Sequence, residues 1–300
     1  MKRIALLLAD EHNAYQRLLA TRANELSSTY GVEVLPPTYA NGAPVNQINQ
    51  FFDCVTGATP PDGVVSMLVS ADSLRNSVER LARTGIACVL VNRIPAYLSR
   101  MAEQYPDVLL ASVTPDQVEI GRLQGRQCLR ILPEGGEVVL VLGDEATPTA
   151  VDRRRGFLEV AGSHVNVKEL RGRWLKDRAE EVVTHLFGIG GRRTKPDLFV
   201  CQNDPMAAGV REALDTQAVA LSVDEIASIP IIGCDGLPDE GQRMVRMKRI
   251  DATVVMPPTT PQALELLSDY WGKGIRTLSA ILPPSSFPPI DELRPGPHHS

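Results

Sequence analysis

Short apolar runs that stop abruptly at polar groups recur along this chain and alternate with stretches of helical periodicity. The three sharpest are Phe199-Val200-Cys201-Gln202-Asn203-Asp204, Ile231-Ile232-Gly233-Cys234-Asp235-Gly236 and Val89-Leu90-Val91-Asn92-Arg93. Runs so rich in Val, Ile and Leu fit strands of a parallel sheet covered on both faces. Strand followed by helix, repeated, implies right-handed crossovers and an α/β architecture. In a doubly wound sheet a ligand sits outside the carboxyl ends of the strands, so a site is expected at these polar residues. Their groups suit a small, neutral, hydroxyl-rich molecule.

The alternation falls into two sets. The first holds strands at Arg3–Ala9, Val32–Leu35, Val64–Val69, Ala87–Val91 and Val108–Val113. Its helices fall near Ala14–Tyr30, Pro44–Thr56 and Ala71–Thr84. The second set opens with a helix started by Pro115 and running to about Leu132. Strands follow at Glu137–Gly143, Val165–Leu170, Leu198–Cys201, Ile229–Cys234 and Ala252–Met256. Helices are expected over Ala150–Gly162, over Asp177–Phe187 closed by Gly188, over Pro205–Asp215, over Leu237–Lys248 and, last, over Pro261–Tyr270. From Leu282 the chain is rich in proline and is expected to run extended over the surface. Three hundred residues exceed what one hydrophobic core usually supports, so two lobes are expected.

Charge excludes one class of partner. With 36 acidic against 31 basic residues, net −5, the chain lacks the basic face that nucleic acid requires. The Arg153-Arg154-Arg155 triplet reads as a helix surface. No apolar run approaches the ~20 residues of a membrane span. Met1-Lys2-Arg3 before Ile4–Ala9 resembles the start of an export signal. Asp10, Glu11 and His12 follow at once with no small-residue cleavage site, so the run reads as the first strand. Cys54, Cys88, Cys128, Cys201 and Cys234 are scattered and odd in number, which reads as buried free thiols and leans towards a reducing compartment.

Four motifs carry a resemblance. Gln202–Gly209 (QNDPMAAG), Gly233–Asp239 (GCDGLPD), Pro115–Arg122 (PDQVEIGR) and Arg153–Phe157 (RRRGF) resemble stretches of type I periplasmic sugar-binding proteins. The effector domains of lactose-repressor-like regulators share these patterns. The resemblance covers nearly the whole chain in order. It implies two Rossmann-like lobes with parallel sheets, 1–113 plus 257–282 and 114–256 plus 283–300, joined by three hinge crossings. It also implies a sugar or polyol enclosed between them, with Arg93, Asn203 and Asp235 converging. Ligand positions carry over residue by residue: Asn13 and Tyr15 after the first strand, Asn92 and Arg93 where the family has Asp-Arg, and Asp116 in the third motif. Trp174 matches an aromatic of the second lobe, and Asn203 and Asp235 match hydroxyl-binding positions. Departures are Gln16 for a second aromatic, Val151 for an arginine and Met256 for a glutamine. They argue against ribose bound in the usual way and leave room for a larger or partly apolar sugar derivative.

Each position also has a structural reading. Asp235-Gly236 is a common turn pair. Asn203 could cap the helix at Pro205, although Asp204 stands nearer the helix start and would leave Asn203 free. Arg93 could serve a surface salt bridge, and Tyr15 or Trp174 could be core. Asp10-Glu11-His12 is no metal site, because adjacent side chains diverge and no second ligand cluster is visible. Gly188–Arg193 echoes a phosphate loop but follows a helix, where a dinucleotide fingerprint must follow a strand. His298-His299 read as solvent-facing. No nucleophile elbow or paired catalytic carboxylates emerge, and no cofactor is implied. The expectation is a non-catalytic sugar-binding component of an ATP-driven importer, with a permease or chemoreceptor as partner and a periplasmic location. An intracellular regulatory effector domain is the alternative, and an α/β enzyme a more distant one.

Overall fold

The computed structural model describes residues 1–190 and 195–296. The chain starts with β1 (Lys2–Leu8), α1 (Ala14–Leu26), β2 (Val32–Val34), β3 (Thr38–Tyr39), α2 (Pro44–Thr56), β4 (Gly63–Ser66), α3 (Arg75–Arg83), β5 (Ala87–Val91), α4 (Leu98–Gln104) and β6 (Leu110–Pro115). It continues through α5 (Gln117–Ile131), β7 (Glu137–Leu142), α6 (Pro148–Ala161), β8 (Asn166–Arg171), α7 (Lys176–Gly190), β9 (Leu198–Cys201), α8 (Asp204–Leu221), β10 (Ile231–Asp235), α9 (Gly241–Arg246) and β11 (Ala252–Val255). Helix α10 (Thr260–Lys273), β12 (Ser279–Leu282) and β13 (Ser285–Phe287) close it. Two compact units result: Met1–Pro115 with Pro257–Leu282, and Asp116–Met256 with the stretch from Pro283 onward.

Each unit is one α/β layer structure, as the alternation predicts. The first sheet runs β12-β6-β5-β4-β1-β2, with β3 also paired to β1, and every pairing is parallel. The second runs β13-β11-β10-β9-β7-β8, with only β13 antiparallel. In both, the chain lays down a strand, adds one neighbour, then returns to build on the other side. The switch therefore falls between β1 and β4 in the first unit and between β7 and β9 in the second. A crevice opens at such a point, outside the carboxyl ends of the two strands.

Burial accounts for the strands. β4 and β5 are buried along their whole length, and Ile4 to Leu8 of β1 are likewise inside. In the second unit the faces of the sheet serve two clusters. Val139, Val141, Phe199 and Cys201 pack towards Ala179, Phe187, Val210 and Leu214 of α7 and α8. Val138, Leu140, Leu198 and Val200 pack towards Cys128, Phe157 and Ala161 of α5 and α6. This alternation along one strand is the period-two rule applied to a sheet covered on both sides.

Several boundaries differ from the sequence expectation. Pro115 does not open a helix; it ends β6, and Asp116 caps α5 by accepting from Glu119 N at 2.9 Å. Gly188 does not close α7, which runs to Gly190. The helix expected over Leu237–Lys248 shortens to α9, since Pro238 and the turn around it delay its start. Helix α4 was not expected. The proline-rich tail from Leu282 is not a free extended run, since β13 pairs with β11; just before it, β12 pairs with β6. Its prolines sit beside these strands and leave their amides free to pair. Gly191–Arg193 and His298-His299 lie outside the described residues.

Candidate functional site

In the first unit the polar groups gather at the carboxyl ends of β1, β4 and β5. Asn13 caps α1, its side chain accepting from Gln16 N at 3.1 Å. Gln16, at the position of the second aromatic, is buried; its Oε1 accepts from the amides of Ala9 and Asp10 (2.7 and 3.0 Å) and so closes the loop after β1. Tyr15 is buried, and its hydroxyl donates to the Pro257 carbonyl at 2.8 Å and lies 3.5 Å from Asn92 Oδ1. Asn92 Oδ1 also accepts from Thr259 Oγ1 at 3.0 Å, and its carbonyl accepts from Thr114 Oγ1 at 3.2 Å. The structure thus brings Tyr15 and Asn92 together. Arg93 reaches across to the loop after β4, where Nη1 donates to the carbonyls of Leu68 and Val69 (2.8 and 2.6 Å). The guanidinium therefore ties the loop after β5 to the loop after β4.

In the second unit a buried arginine organises the corresponding face. Arg153 is only 3% exposed, which corrects the reading of its triplet as helix surface. Its neighbours Arg154 and Arg155 do lie outside, paired with Glu169 and Asp152. Arg153 Nε donates to Gln117 Oε1 at 2.8 Å, Nη1 to the Gln202 carbonyl, and Nη2 approaches Met256 Sδ at 2.8 Å. The guanidinium carbon stands 5.6 Å from the ring centre of Trp174, within cation–π range. That ring lies against the backbone of Gly143, where a Cβ would come within 2.2 Å of it. The indole Nε1 is buried without an acceptor among the described residues. Val151, at the family's arginine position, is 52% exposed.

The two polar residues after β9 hold roles opposite to those expected. Asn203 is the cap of α8: its Oδ1 accepts from Met206 N at 2.9 Å, and its Nδ2 donates to the Trp174 carbonyl at 3.1 Å. Asn203 has an extended backbone (φ −151°, ψ 165°), as a cap requires. Asp204, 1% exposed, points back into the unit instead. Its Oδ2 accepts from Gly236 N at 2.8 Å and its Oδ1 from Thr253 Oγ1 at 2.7 Å. Gln202 bridges the switch point, accepting from Gly143 N at 2.8 Å and donating to the Ala150 carbonyl at 2.9 Å. Asp116 is committed to capping α5. Met256 follows β11 directly, with its amide on the Asp235 carbonyl at 3.1 Å.

Electrostatics single out the Asp204–Asp235 pair. Burial pushes the Asp235 carboxyl up to about 7, while the Arg153 charge pulls it down and Glu240 pushes it further up. Burial raises Asp204 well above the usual carboxylate range; the Asp235 charge adds to this, and the Thr253 and Gly236 bonds oppose it. No hydrogen bond from a described residue reaches the Asp235 carboxyl. Backbone strain marks the same places: Asn92 (φ 65°), Trp174 (φ 68°) and Asp235 (φ 117°) hold left-handed conformations without being glycine. Among the described residues, no group of three or more His, Cys, Asp or Glu is placed to hold a metal.

Sequence reasoning missed Arg153 and Gln117. A signal existed: Ala150, Arg153, Phe157 and Ala161 share one face of α6, and the other three are plainly apolar. The glycines of two motifs do related work. A Cβ on Gly121 would lie 2.0 Å from the Arg153 carbonyl oxygen, and one on Gly156 2.0 Å from that of Val118. Helices α5 and α6 therefore touch backbone to backbone, which sets Arg153 at its depth.

Comparisons with known proteins agree with this organisation. A family model described as "Periplasmic binding protein domain" matches residues 4–272. The chain is similar to a Rhizobium meliloti protein named for rhizopine, 26% identical over 183 residues, which are 59% of this chain and 55% of that one. It is also 26% identical over 181 residues to the xylitol-binding protein of Mycolicibacterium smegmatis, covering 59% of this chain and 47% of that one. The chain thus spans about half the length of these curated relatives. Among solved structures, the Caulobacter myo-inositol binding protein bound to myo-inositol superposes with a TM-score of 0.79 at 22% identity. That match covers 95% of this chain and 92% of the other and bears on the fold alone. With its two parallel α/β units and a family match along most of its length, the chain belongs to the periplasmic binding protein domain family.

Proposed function

We propose that this chain is a non-catalytic binding protein for a sugar or polyol, held by groups at the strand ends. The observation that carries this reading is the state of Asp235. It ends a buried strand in a strained conformation, and its carboxyl accepts no hydrogen bond from the described residues. A carboxylate can accept from two ligand hydroxyls at once, each bond charge-assisted. Trp174 and Tyr15 supply aromatic faces for the C–H side of a ring. Asn92 and Arg93 hold the strand ends of the first unit in register. Asn13, Asp116 and Asn203 act mainly as helix caps and shape the loops around the ligand. The relatives named for xylitol and rhizopine support the same class of ligand.

Delivery to an ATP-driven importer, or to a chemoreceptor, follows from this reading as the role in the cell, with the periplasm as its place. No helix among the described residues is long and apolar enough to cross a membrane. Titration calorimetry against a panel of pentoses, hexoses, pentitols and inositols tests the proposal. One ligand should bind, and Asn92→Ala in one unit and Asp235→Asn in the other should each weaken it at least about tenfold. A folded protein giving no heat with any of the panel refutes the reading. So does a bound ligand indifferent to both substitutions.

A further inference from the structure

Arg153 is a buried cation without a counter-ion at contact. Among the described residues no carboxylate stands within ion-pair distance, although the Asp235 charge lies close enough to be felt. A guanidinium carries five N–H bonds. Oxygen acceptors take two of them, at Gln117 and at the Gln202 carbonyl, and the third partner is the Met256 thioether. One N–H on each terminal nitrogen finds no acceptor among the described residues. A thioether is a weak acceptor, so Nη2 is the least satisfied corner of a group that is costly to leave unsatisfied.

That corner has a particular chemical meaning. A guanidinium clasps a carboxylate through two parallel N–H bonds, along its Nε–Nη2 edge or its Nη1–Nη2 end. Nη2 belongs to both. Met256 sits on Nη2, and Gln117 occupies Nε, so a carboxylate approaching in either geometry meets the thioether at the nitrogen both share. The Trp174 ring covers the guanidinium from another side. What a ligand meets at this end of the second unit is therefore a thioether and an indole over a charge already engaged.

We infer that Met256 determines the charge class of the ligand: by occupying the Arg153 fork it admits neutral sugars and polyols, with a C–H edge against Met256 and Trp174, and turns away the corresponding acids. This inference rests on the binding reading above and narrows it. Met256 acts here through its position on Arg153.

The test pairs each neutral compound with its acid: glucose with glucuronate, galactose with galacturonate, xylitol with xylonate. The readout is the ratio of the two dissociation constants by calorimetry. Wild type should favour the neutral member by about 100-fold or more. Met256→Ala, which uncovers Nη2, should move the ratio towards the acid by at least about tenfold. Met256→Leu, which fills the same space, should keep the wild-type ranking, and Arg153→Gln added to Met256→Ala should cancel the gain. Should the alanine variant fail to fold, Met256→Val must show the same shift in smaller measure. Wild type binding acids as tightly as neutral partners overturns the inference, as does a folded alanine or valine variant with an unchanged ratio. In either case neutral binding persists and the function stands. Folded wild type that binds no compound of either kind overturns both.

Discussion

Adding one methyl group at two glycines should change stability in opposite directions. At Gly121 a Cβ would lie 2.0 Å from the Arg153 carbonyl oxygen and 2.8 Å from Phe157 N. Both atoms are backbone, so no rotamer can move them away; α6 must retreat by more than about 1 Å to restore contact distances. Overpacking of this kind costs about 1–3 kcal/mol, and the upper end applies where helices meet backbone to backbone. The retreat also loosens Phe157, fully buried between the helices and the sheet. Alanine returns about 1 kcal/mol of helix propensity, which leaves Gly121→Ala destabilising by about 2 kcal/mol. At Gly188 a Cβ meets nothing within 4 Å and φ is not positive. There the propensity term stands alone, and Gly188→Ala should stabilise by about 0.5–1 kcal/mol. The chain has two tryptophans, so Trp271→Phe leaves Trp174 as a fluorescent reporter of the second unit. Urea midpoints should then separate by about 1.3–1.5 M, for a slope near 2 kcal/mol/M. Two midpoints that move together, in either direction, would refute the claim that α5 and α6 are locked by their glycines.

Three further outcomes are expected. Asp204 and Asp235 titrate higher in the folded chain than in the unfolded one, so as pH rises from about 4 the unfolded state loses its protons first. Stability from these groups is complete at low pH and lost as pH rises through the folded value, about 7 for Asp235. Asp204→Asn, whose amide can accept from Gly236 N and donate to a rotated Thr253 hydroxyl, should gain on wild type between pH 5 and pH 8 by urea midpoint; a constant gap refutes this. Asp235→Gly relieves a left-handed conformation costing about 1 kcal/mol or more and removes a part-buried carboxyl whose charge burial penalises. It should raise the melting temperature at pH 8 while abolishing ligand binding, and a lower melting temperature there counts against the assigned strain. All five cysteines are buried, and burial pushes Cys54 up to about 11 and Cys128 up to about 12. A thiol reagent should therefore label the native chain only at the rate of local opening, with fast labelling at pH 8 as the contrary result.

How much of this was legible depends on whether a residue's role is set by period or by direction. The strands were legible because burial on both faces leaves an unbroken apolar run, as in Ala87–Val91. The last two strands were not, because Ser279–Leu282 and Ser285–Phe287, the second within the proline-rich tail, become strands only by pairing with the open edges of β6 and β11. Asn203 and Asp204 are adjacent, both good caps, and only the extended backbone at Asn203 decides between them. The Arg153 triplet looked uniform because three like residues hide a 3.6-residue period, which is visible once Phe157 and Ala161 are counted with it. Asn13 and Asp116 were read from the resemblance as ligand positions, while their places at helix starts, legible from spacing alone, account for the bonds they make.

The strained residues give the site its logic. Glycine would hold a left-handed backbone at Asn92, Trp174 and Asp235 more cheaply than the residues present. Keeping a side chain there means the side chain is what the position is for. For Asn92 the structure supplies a use, since its amide oxygen takes the Thr259 hydroxyl and lies beside that of Tyr15. For Trp174 it supplies half of one: the ring covers Arg153, and the indole N–H is left without an acceptor among the described residues. For Asp235 it supplies only the attraction of the Arg153 charge, because the carboxyl takes no hydrogen bond from those residues and burial penalises its charge. Asn92 and Trp174 sit in the ordinary left-handed region (φ 65° and 68°), whereas Asp235 lies well beyond it at φ 117°. A side chain held in a left-handed backbone, penalised by burial and unbonded among the described residues fits the role proposed for it above. The hydroxyls of a bound polyol are donors of the kind that carboxylate lacks.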